Sequence, residues 1–101
     1  MFKKLNNVYL TDNLDFLRKI ESEFSDLIYI DPPFYSGVDY KEFSDLWSSL
    51  DEYLEFMKLR IEEIYRVLKL TGSFYLHCDT SASFDLKLLC DKIFRRNNFR
   101  R

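Results

Sequence analysis

Four consecutive residues, Asp31-Pro32-Pro33-Phe34, combine the groups needed to hold a planar amino group. An ionised Asp31 only accepts hydrogen bonds, and Pro32 offers a carbonyl without a competing N–H, so the pair can accept both hydrogens of an exocyclic amine. Phe34 can stack on the ring that carries the amine. Because the prolines fix φ, this geometry is set before a substrate binds.

The residues before these four predict how they are positioned. Residues 27–30 are apolar at every position, which is typical of a parallel strand covered on both faces. Ligands on open parallel sheets bind beyond the carboxyl ends of strands, and Asp31 falls at such an end. The alternative interpretation is a rigid turn leaving a strand, with Phe34 simply packed.

An amino-terminal strand and helix precede this strand. Residues 8–10 predict a short strand, after which Asp12 is placed to cap a helix. The apolar face of that helix consists of Leu14, Phe16, Leu17 and Ile20. From the residues alone, capping is the expected role of the Asp12 carboxylate.

A second helix and a second buried strand follow. Ser49 to Glu52 has the capping-box form that opens a helix, and Lys69 and Gly72 are expected to end it. Its apolar stripe consists of Leu50, Leu54, Met57, Ile61, Ile64 and Leu68. The stripe is too short for a coiled coil, so we expect a crossover helix. With a strand at residues 74–78, this predicts a right-handed strand–helix–strand unit.

The carboxyl end of the second strand brings His77 and Asp79 to the edge where Asp31 is expected. A lone histidine there is more often structural than catalytic, so His77 and Asp79, with Tyr35, are predicted only to line a pocket.

A last helix is predicted after this edge, with caps available from Thr80, Ser81 and Ser83. Its inward face consists of Ala82, Leu86, Leu89 and Ile93. The arginine-rich residues 95–101 could contact phosphates, but such a run is more often solvated, which is the interpretation we favour.

Composition limits the class of protein. A chain of 101 residues with 47% hydrophobic and 18% aromatic residues predicts one packed domain. A net charge of −2 does not itself indicate nucleic-acid binding. The absence of a membrane-span pattern and of a signal-peptide pattern predicts a cytoplasmic protein with no membrane partner. Cys78 and Cys90 lack metal-ligand spacing, so we expect reduced thiols and no metal.

The four-residue motif matches the amino-group motif (Asp, Asn or Ser, then Pro-Pro and an aromatic residue) of S-adenosylmethionine-dependent methyltransferases that modify adenine N6 or cytosine N4 in DNA. The similarity continues through residues 9–14, 40–47, 53–54, 60–63, 71–79 and 97–100. Together these segments resemble the amino-terminal part of a bacterial site-specific adenine methyltransferase whose motifs are circularly permuted. The resemblance implies an α/β, partial Rossmann-like fold, with a parallel sheet and crossover helices but several strands missing.

The resemblance also implies roles for single residues. Asp31, Pro32, Pro33 and Phe34 would be catalytic, and Asp12 and Asp31 would bind the cofactor S-adenosyl-L-methionine, with Asp12 accepting a hydrogen bond from its adenine. The substrate would be double-stranded DNA in a restriction-modification context, with the target adenine flipped out of the helix. Asp rather than Ser at the start of the motif disfavours cytosine N4.

The loop at residues 35–48 would lie near this pocket. Its aromatic residues are Tyr35, Tyr40, Phe43 and Trp47. They could flank a flipped base, although aromatic residues under a long loop more often form a satellite cluster.

The resembled enzymes hold the cofactor with a glycine-rich turn, which Gly37 and Gly72, the only glycines of this chain, cannot build. The target-recognition region is also missing, and the strand at residues 8–10 would lack its neighbours. We therefore expect residues 1–101 to be a fragment of the catalytic domain, inactive without a complementary carboxyl-terminal methyltransferase chain. A restriction subunit is a further expected partner. The alternative is a non-catalytic remnant or interaction module.

Overall fold

The computed structural model describes residues 5–37 and 47–100. Its elements in chain order are helix α1 (Asn13–Arg18), strand β1 (Ser25–Ile30), helix α2 (Leu50–Val67), strand β2 (Leu68–Leu76), helix α3 (Ser83–Phe94) and a 3-10 turn (Arg96–Asn98). The two strands pair in parallel, and α2 connects them. The predicted α/β class and its strand–helix–strand unit are therefore confirmed.

One face of α2 forms the centre of the core. Its buried side chains are Tyr53, Met57, Arg60, Ile61, Ile64 and Val67. They recur at steps of three and four residues, so they lie on one stripe of the helix. The amino-terminal half of the stripe packs with α3, and the other half packs with α1 and the inner face of the sheet. Each fully buried apolar side chain contributes roughly 1.5–3 kcal/mol.

The start of α2 follows the predicted capping box with one difference. The Ser49 hydroxyl accepts a hydrogen bond from the Glu52 N–H at 3.1 Å, which makes Ser49 the cap. The Glu52 carboxylate reaches back one residue further than the standard box, accepting from the N–H and the hydroxyl of Ser48 at 3.3 and 2.6 Å. These bonds lower the pKa of Glu52 below its usual value.

The predicted end of α2 is wrong. The helix ends at Val67 and β2 begins at Leu68, so Lys69 and Gly72 lie inside the strand. Pairing with β1 on both sides of these residues explains this, because Leu68 pairs with Ser25 and Ser73 pairs with Leu27. Residues 69–72 lie between these pairs, where the register shifts, and Lys69 Nζ lies 3.1 Å from the Asp26 carboxylate. Gly72 leaves room for two close neighbours: a Cβ there would lie 2.7 Å from Cδ1 of Leu68 in the same strand and 3.0 Å from the Asp26 carbonyl oxygen of β1.

The predicted strand at residues 8–10 is also wrong. Val8 and Leu10 are fully exposed, and no strand precedes α1 in the part of the chain that the structure describes. Tyr9 instead places its ring 5.0 Å from that of Phe16 in α1. A strand needs a neighbour for its backbone hydrogen bonds, and within the described ranges β1 pairs only with β2.

Only one face of the sheet is covered by the described residues. Ile28 and Ile30 pack against the core beneath α2, whereas Leu27 and Tyr29 are 59% and 60% exposed. On β2, Tyr75 is similarly exposed, at 57%. The expectation of a strand buried on both faces is therefore wrong for the described residues. Parallel sheets are normally covered on both faces, so this apolar surface is unusual.

The predicted caps of α3 from Thr80, Ser81 and Ser83 do not form, because the cap position is Ala82 and it has no side-chain hydrogen bond. Asp79 orders the approach to the helix instead, accepting from the Ser81 N–H at 2.8 Å. The predicted inward face does pack into the core: Ala82, Leu86, Leu89 and Ile93.

The end of the described chain, residues 95–100, is exposed, in agreement with a solvated arginine-rich segment. Arg100 donates to the backbone carbonyls of Asn97 and Phe99 at 2.9 and 2.8 Å. Among the helices described, none is both long enough and apolar enough to cross a membrane.

Replacing Gly72 by alanine should destabilise the protein. The added methyl group meets Leu68, which can move, and the backbone carbonyl of Asp26, which moves only if β1 shifts. We expect the free energy of unfolding to fall by about 1–3 kcal/mol, measured by urea unfolding. Ser73→Ala, at the next and exposed position of β2, is the control. Equal urea midpoints for Gly72→Ala, Ser73→Ala and the parent protein would contradict this prediction.

Candidate active site

The turn formed by Asp31 to Phe34 leaves β1 at its carboxyl end, as the sequence predicts. The chain after β2 lies beside it, because the His77 N–H donates to the Ile30 carbonyl at 3.0 Å. The Phe34 and His77 rings lie 5.5 Å apart, measured between centroids, and are tilted by 46°. The structure therefore brings His77 and the Asp31–Phe34 turn to one edge of the sheet.

Two hydrogen-bond acceptors of this turn have no partner within the described ranges. The Asp31 carboxylate is exposed and makes no hydrogen bond or ion pair with the described residues. The Pro32 carbonyl likewise receives no hydrogen bond from them. Acceptors from adjacent residues can receive two N–H groups of one ligand, so the arrangement suits an amino group.

The next carbonyl of the turn, that of Pro33, is held by the core. The Tyr53 hydroxyl of α2 donates to it at 2.6 Å, and the Tyr53 side chain is fully buried. From the sequence, Tyr53 belongs to a segment that resembles the family, but no site role was predicted for it. Its position four residues before Met57 indicates that it lies on the inward-facing stripe of α2, and this spacing could have identified it as a buried polar residue.

Tyr35 and Trp47 pack around Tyr53, each with a ring centroid 5.3 Å from the Tyr53 ring. Tyr35 has φ of +68°, a left-handed conformation that costs a non-glycine residue about 1–3 kcal/mol. These contacts match the satellite cluster that was one of the two interpretations. The pocket-lining role of Tyr35 stays a prediction, and Tyr40 and Phe43 lie outside the described residues.

Asp12 caps α1, which confirms the expectation drawn from the residues alone. Its Oδ2 atom accepts from the N–H groups of Leu14 and Asp15 at 3.1 and 3.2 Å. Its Oδ1 atom accepts from Arg60 Nη2 at 3.0 Å. The bond from the Asp15 N–H and the bond and charge of Arg60 hold the pKa of the Asp12 carboxyl below its usual value, against the opposing effect of burial. Its predicted contact with a cofactor stays a prediction.

Arg60 is the buried charged side chain in the described core, with 7% of its surface exposed. Nε donates to Asn13 Oδ1 at 2.8 Å, Nη1 donates to the Phe56 carbonyl at 3.2 Å, and Nη2 binds Asp12. Its guanidinium also lies 3.5 Å from the centroid of the Phe56 ring. A buried arginine needs such partners, and here they tie α1 to α2. In the sequence, this role is indicated by an arginine that lies next to Ile61 on the apolar stripe of the helix.

The predicted site residues therefore fall into separate groups. Phe34 and His77 are in contact, and Tyr53 joins the turn to Tyr35. Asp12 makes its described contacts with α1 and α2, and the Asp79 carboxylate accepts from Ser81. Within the described residues, neither carboxylate makes a hydrogen bond or an ion pair with the Asp31–Phe34 turn.

The two cysteines are free thiols, as expected. Burial raises the pKa of both, that of Cys90 to about 11, so they are protonated near neutral pH. In residues 5–37 and 47–100 no group of histidine, cysteine and acidic side chains is arranged to hold a metal ion.

Comparison with known proteins gives consistent matches. A family model described as DNA methylase, for N6 and N4 methyltransferases, matches residues 25–101. The chain is 35% identical over 97 residues to the probable type III restriction-modification enzyme HindVI Mod subunit of Haemophilus influenzae, over 93% of this chain and 13% of that protein. It is 32% identical over 104 residues to the type II methyltransferase M.KpnI of Klebsiella pneumoniae, over 93% of this chain and 25% of that protein.

A third relative is the DNA adenine methyltransferase YhdJ of Escherichia coli, 35% identical over 83 residues, which cover 82% of this chain and 28% of that protein. The chain thus spans 13–28% of the length of these three relatives.

Two substitutions of Asp12 should separate the contribution of its helix cap to stability from the contribution of its charge. Asparagine keeps a capping oxygen but removes the charge opposite Arg60, whereas alanine removes both. Because the folded-state pKa of Asp12 is lowered, its electrostatic contribution is present above about pH 4 and is lost as the pH falls through the folded-state pKa. We expect Asp12→Asn to reduce the stability difference between about pH 7 and about pH 3, measured by urea unfolding.

Asp12→Ala should be less stable than Asp12→Asn by about 1 kcal/mol, because the cap is also lost. Asp15→Asn is the control, since this carboxylate makes no ion pair with a described residue. An unchanged pH dependence in Asp12→Asn would contradict the role given to the Arg60 pair.

Proposed function

Because this chain belongs to the DNA methylase family, we propose that it carries the amino-group site of an S-adenosylmethionine-dependent methyltransferase acting on adenine N6 in DNA. The resemblance read from the sequence is thereby confirmed at the level of the family. One observation carries the finer proposal: Asp31 and Pro32 present two neighbouring acceptors, without described protein partners, at the carboxyl end of a parallel strand.

The chemistry of an adenine amino group explains why acceptors are needed. Its nitrogen is a poor nucleophile because its lone pair is delocalised into the ring. Hydrogen bonds from both N–H groups to the Asp31 carboxylate and the Pro32 carbonyl would turn that lone pair out of the ring plane. Asp31 would also place negative charge beside the reacting nitrogen as positive charge develops there.

S-Adenosylmethionine supplies an electrophilic methyl group on a cationic sulfur when it is bound. The described residues fit this group in part. The exposed Asp31 carboxylate suits a nearby cation, and Asp12 accepts three hydrogen bonds of the roughly four that a carboxylate can receive. Asp12 therefore retains capacity for one further donor, as its proposed contact with the cofactor requires.

The substrate proposed is double-stranded DNA. The amino group of adenine is paired inside a duplex, so the base has to leave the stack to reach Asp31. Phe34 would replace part of the stacking that the base loses. Asp31 at the start of the motif favours adenine over cytosine N4, and one relative is named as a DNA adenine methyltransferase.

We also propose that residues 1–101 supply one part of a catalytic domain that further strands complete. The apolar sheet face at Leu27, Tyr29 and Tyr75 is exposed, and the same strand β1 borders an open cleft of about 420 Å³. The rest of that cleft is lined by the amino-terminal segment, by α1, by Ile20 and Phe24 after it, and by Val67 of α2. An open strand edge beside an apolar cleft favours pairing with another strand, from the same polypeptide or a second one.

The relatives indicate the setting in which such an enzyme would work. Two of the three are named as restriction-modification Mod subunit or type II methyltransferase, so a restriction subunit is proposed as a further partner. An enzyme acting on bacterial DNA in this setting would work in the cytoplasm.

Matched substitutions at the two ends of β1 test the proposed function. In the methyltransferase assembled from this chain and the remainder of its domain, Asp31→Ala should lower the rate of methyl transfer from S-adenosylmethionine to DNA by about 100-fold or more. Asp26→Ala, at the other end of the strand, removes only a surface ion pair with Lys69 and should leave the rate unchanged.

Transfer of labelled methyl groups measures both rates, and circular dichroism checks that each variant folds. If Asp31→Ala and Asp26→Ala transfer methyl groups at the same rate, Asp31 has no catalytic role, and the non-catalytic interaction module is favoured.

A further inference from the structure

We infer that Tyr53 is a positioning residue for the amino-group site, because its hydroxyl fixes the Pro33 carbonyl and thereby the shape of the turn. The effect of Tyr53 on methyl transfer rests on the proposed function, whereas the hydrogen bond itself is observed in the structure. Tyr53 is fully buried in the core cluster, and its hydroxyl lies 2.6 Å from the Pro33 oxygen.

A buried hydroxyl is costly unless it has a partner, so phenylalanine would serve this position better if packing were the only requirement. The partner of the Tyr53 hydroxyl lies 20 residues earlier in the chain, within the Asp31–Phe34 turn. The described residues contribute no other hydrogen bond to this turn. One hydrogen bond from the core therefore tethers the four-residue motif.

The two prolines explain why this tether matters. The backbone of each residue has two soft dihedral angles, and a proline ring fixes only φ. Pro32 and Pro33 also have no N–H with which to form hydrogen bonds of their own. The direction of the Pro33 carbonyl is set by ψ of that residue, so the Tyr53 hydroxyl supplies a constraint that the ring cannot.

Fixing this dihedral has consequences on both sides of Pro33. The hydrogen bond restrains rotation of the peptide plane that joins Pro33 to Phe34, and this favours the position of the Phe34 ring beside His77. The Pro33 carbonyl is also held by the buried Tyr53 hydroxyl, which makes it less available to the amino group than an acceptor without a partner. The ligand is left with the Asp31 carboxylate and the Pro32 carbonyl as acceptors.

Tyr53→Phe removes the hydroxyl and keeps the buried ring. Tyr65→Phe is the matched control, because Tyr65 lies on the same helix with 48% of its surface exposed and packs its ring against Phe94. Neither substitution changes the charge of the chain or the ring that packs.

The first measurement is made on the 101-residue chain itself. Labelling proline carbonyls with carbon-13 and phenylalanine nitrogens with nitrogen-15 gives one correlation signal, since Pro33–Phe34 is the only Pro–Phe bond in the sequence. We expect the carbonyl signal to move upfield in Tyr53→Phe, where the hydrogen bond is lost, and to stay in place in Tyr65→Phe. An unmoved signal in Tyr53→Phe overturns the inference.

The second measurement is the rate of methyl transfer in the assembled methyltransferase, expressed for each site that binds S-adenosylmethionine. In Tyr53→Phe we expect kcat to fall by about 10- to 100-fold, as for a small misplacement of reacting groups, with KM for DNA unchanged. Tyr65→Phe should match the parent enzyme. If Tyr53 only stabilised the fold, Tyr53→Phe would lower the rate by leaving part of the enzyme unfolded. Expressing the rate for each site that binds S-adenosylmethionine removes this effect.

Failure of the inference and failure of the proposed function give different results. If the parent enzyme transfers no methyl group to DNA, the proposed function fails. If the parent enzyme is active and Tyr53→Phe is equally active, the positioning role alone is overturned.

Discussion

The buried stripe of α2 is the constraint on which the rest of the structure depends. Apolar side chains such as Met57 and Ile64 bring the inner face of the sheet, α1 and α3 onto this helix. Two polar groups share the stripe. Tyr53 reaches the Asp31–Phe34 turn near the start of the helix, and Arg60 holds the carboxylate that caps α1. Each polar group needs its partner, because leaving it unpaired in the core would be costly.

These two contacts couple core packing to the candidate site. A buried tyrosine whose hydroxyl bonds to the backbone, and a buried arginine with a partner on each guanidinium nitrogen, have few alternative positions. The helix that fills the core therefore also orients the turn and α1. The turn itself presents Asp31 at the open end of the strand, where the described residues leave its carboxylate free for a ligand.

Local features of the sequence predicted the elements that local interactions form. The apolar run before Asp31, the Asp12 cap and the Ser49 cap were correct because a strand pattern and a capping oxygen act over a few residues. Lys69 and Gly72 have the local signature of a helix end. Pairing of Leu68 with Ser25 and of Ser73 with Leu27 places both residues within β2, and no local pattern reveals this long-range pairing.

The remaining differences have long-range causes as well. Residues 8–10 have strand character, but the described part of the chain gives them no neighbour with which to pair. Tyr53 and Arg60 find their partners 20 and 48 residues away, in Pro33 and Asp12, so the sequence pattern could show only that two polar residues lie on an apolar stripe. The exposure of the outer face of the sheet also has a long-range cause, because it depends on whether a distant part of the chain covers that face.

The identity of the modified base tests the central claim most directly, because an Asp-led acceptor pair is proposed to hold the amino group of adenine. The protein would be expressed, with the remainder of its domain, in a bacterial host without DNA methylation, and the digested DNA examined by nucleoside mass spectrometry. We predict N6-methyladenine in this DNA and none in DNA from the host alone. N4-methylcytosine in its place, or no methylated base from a folded assembly, would contradict the claim.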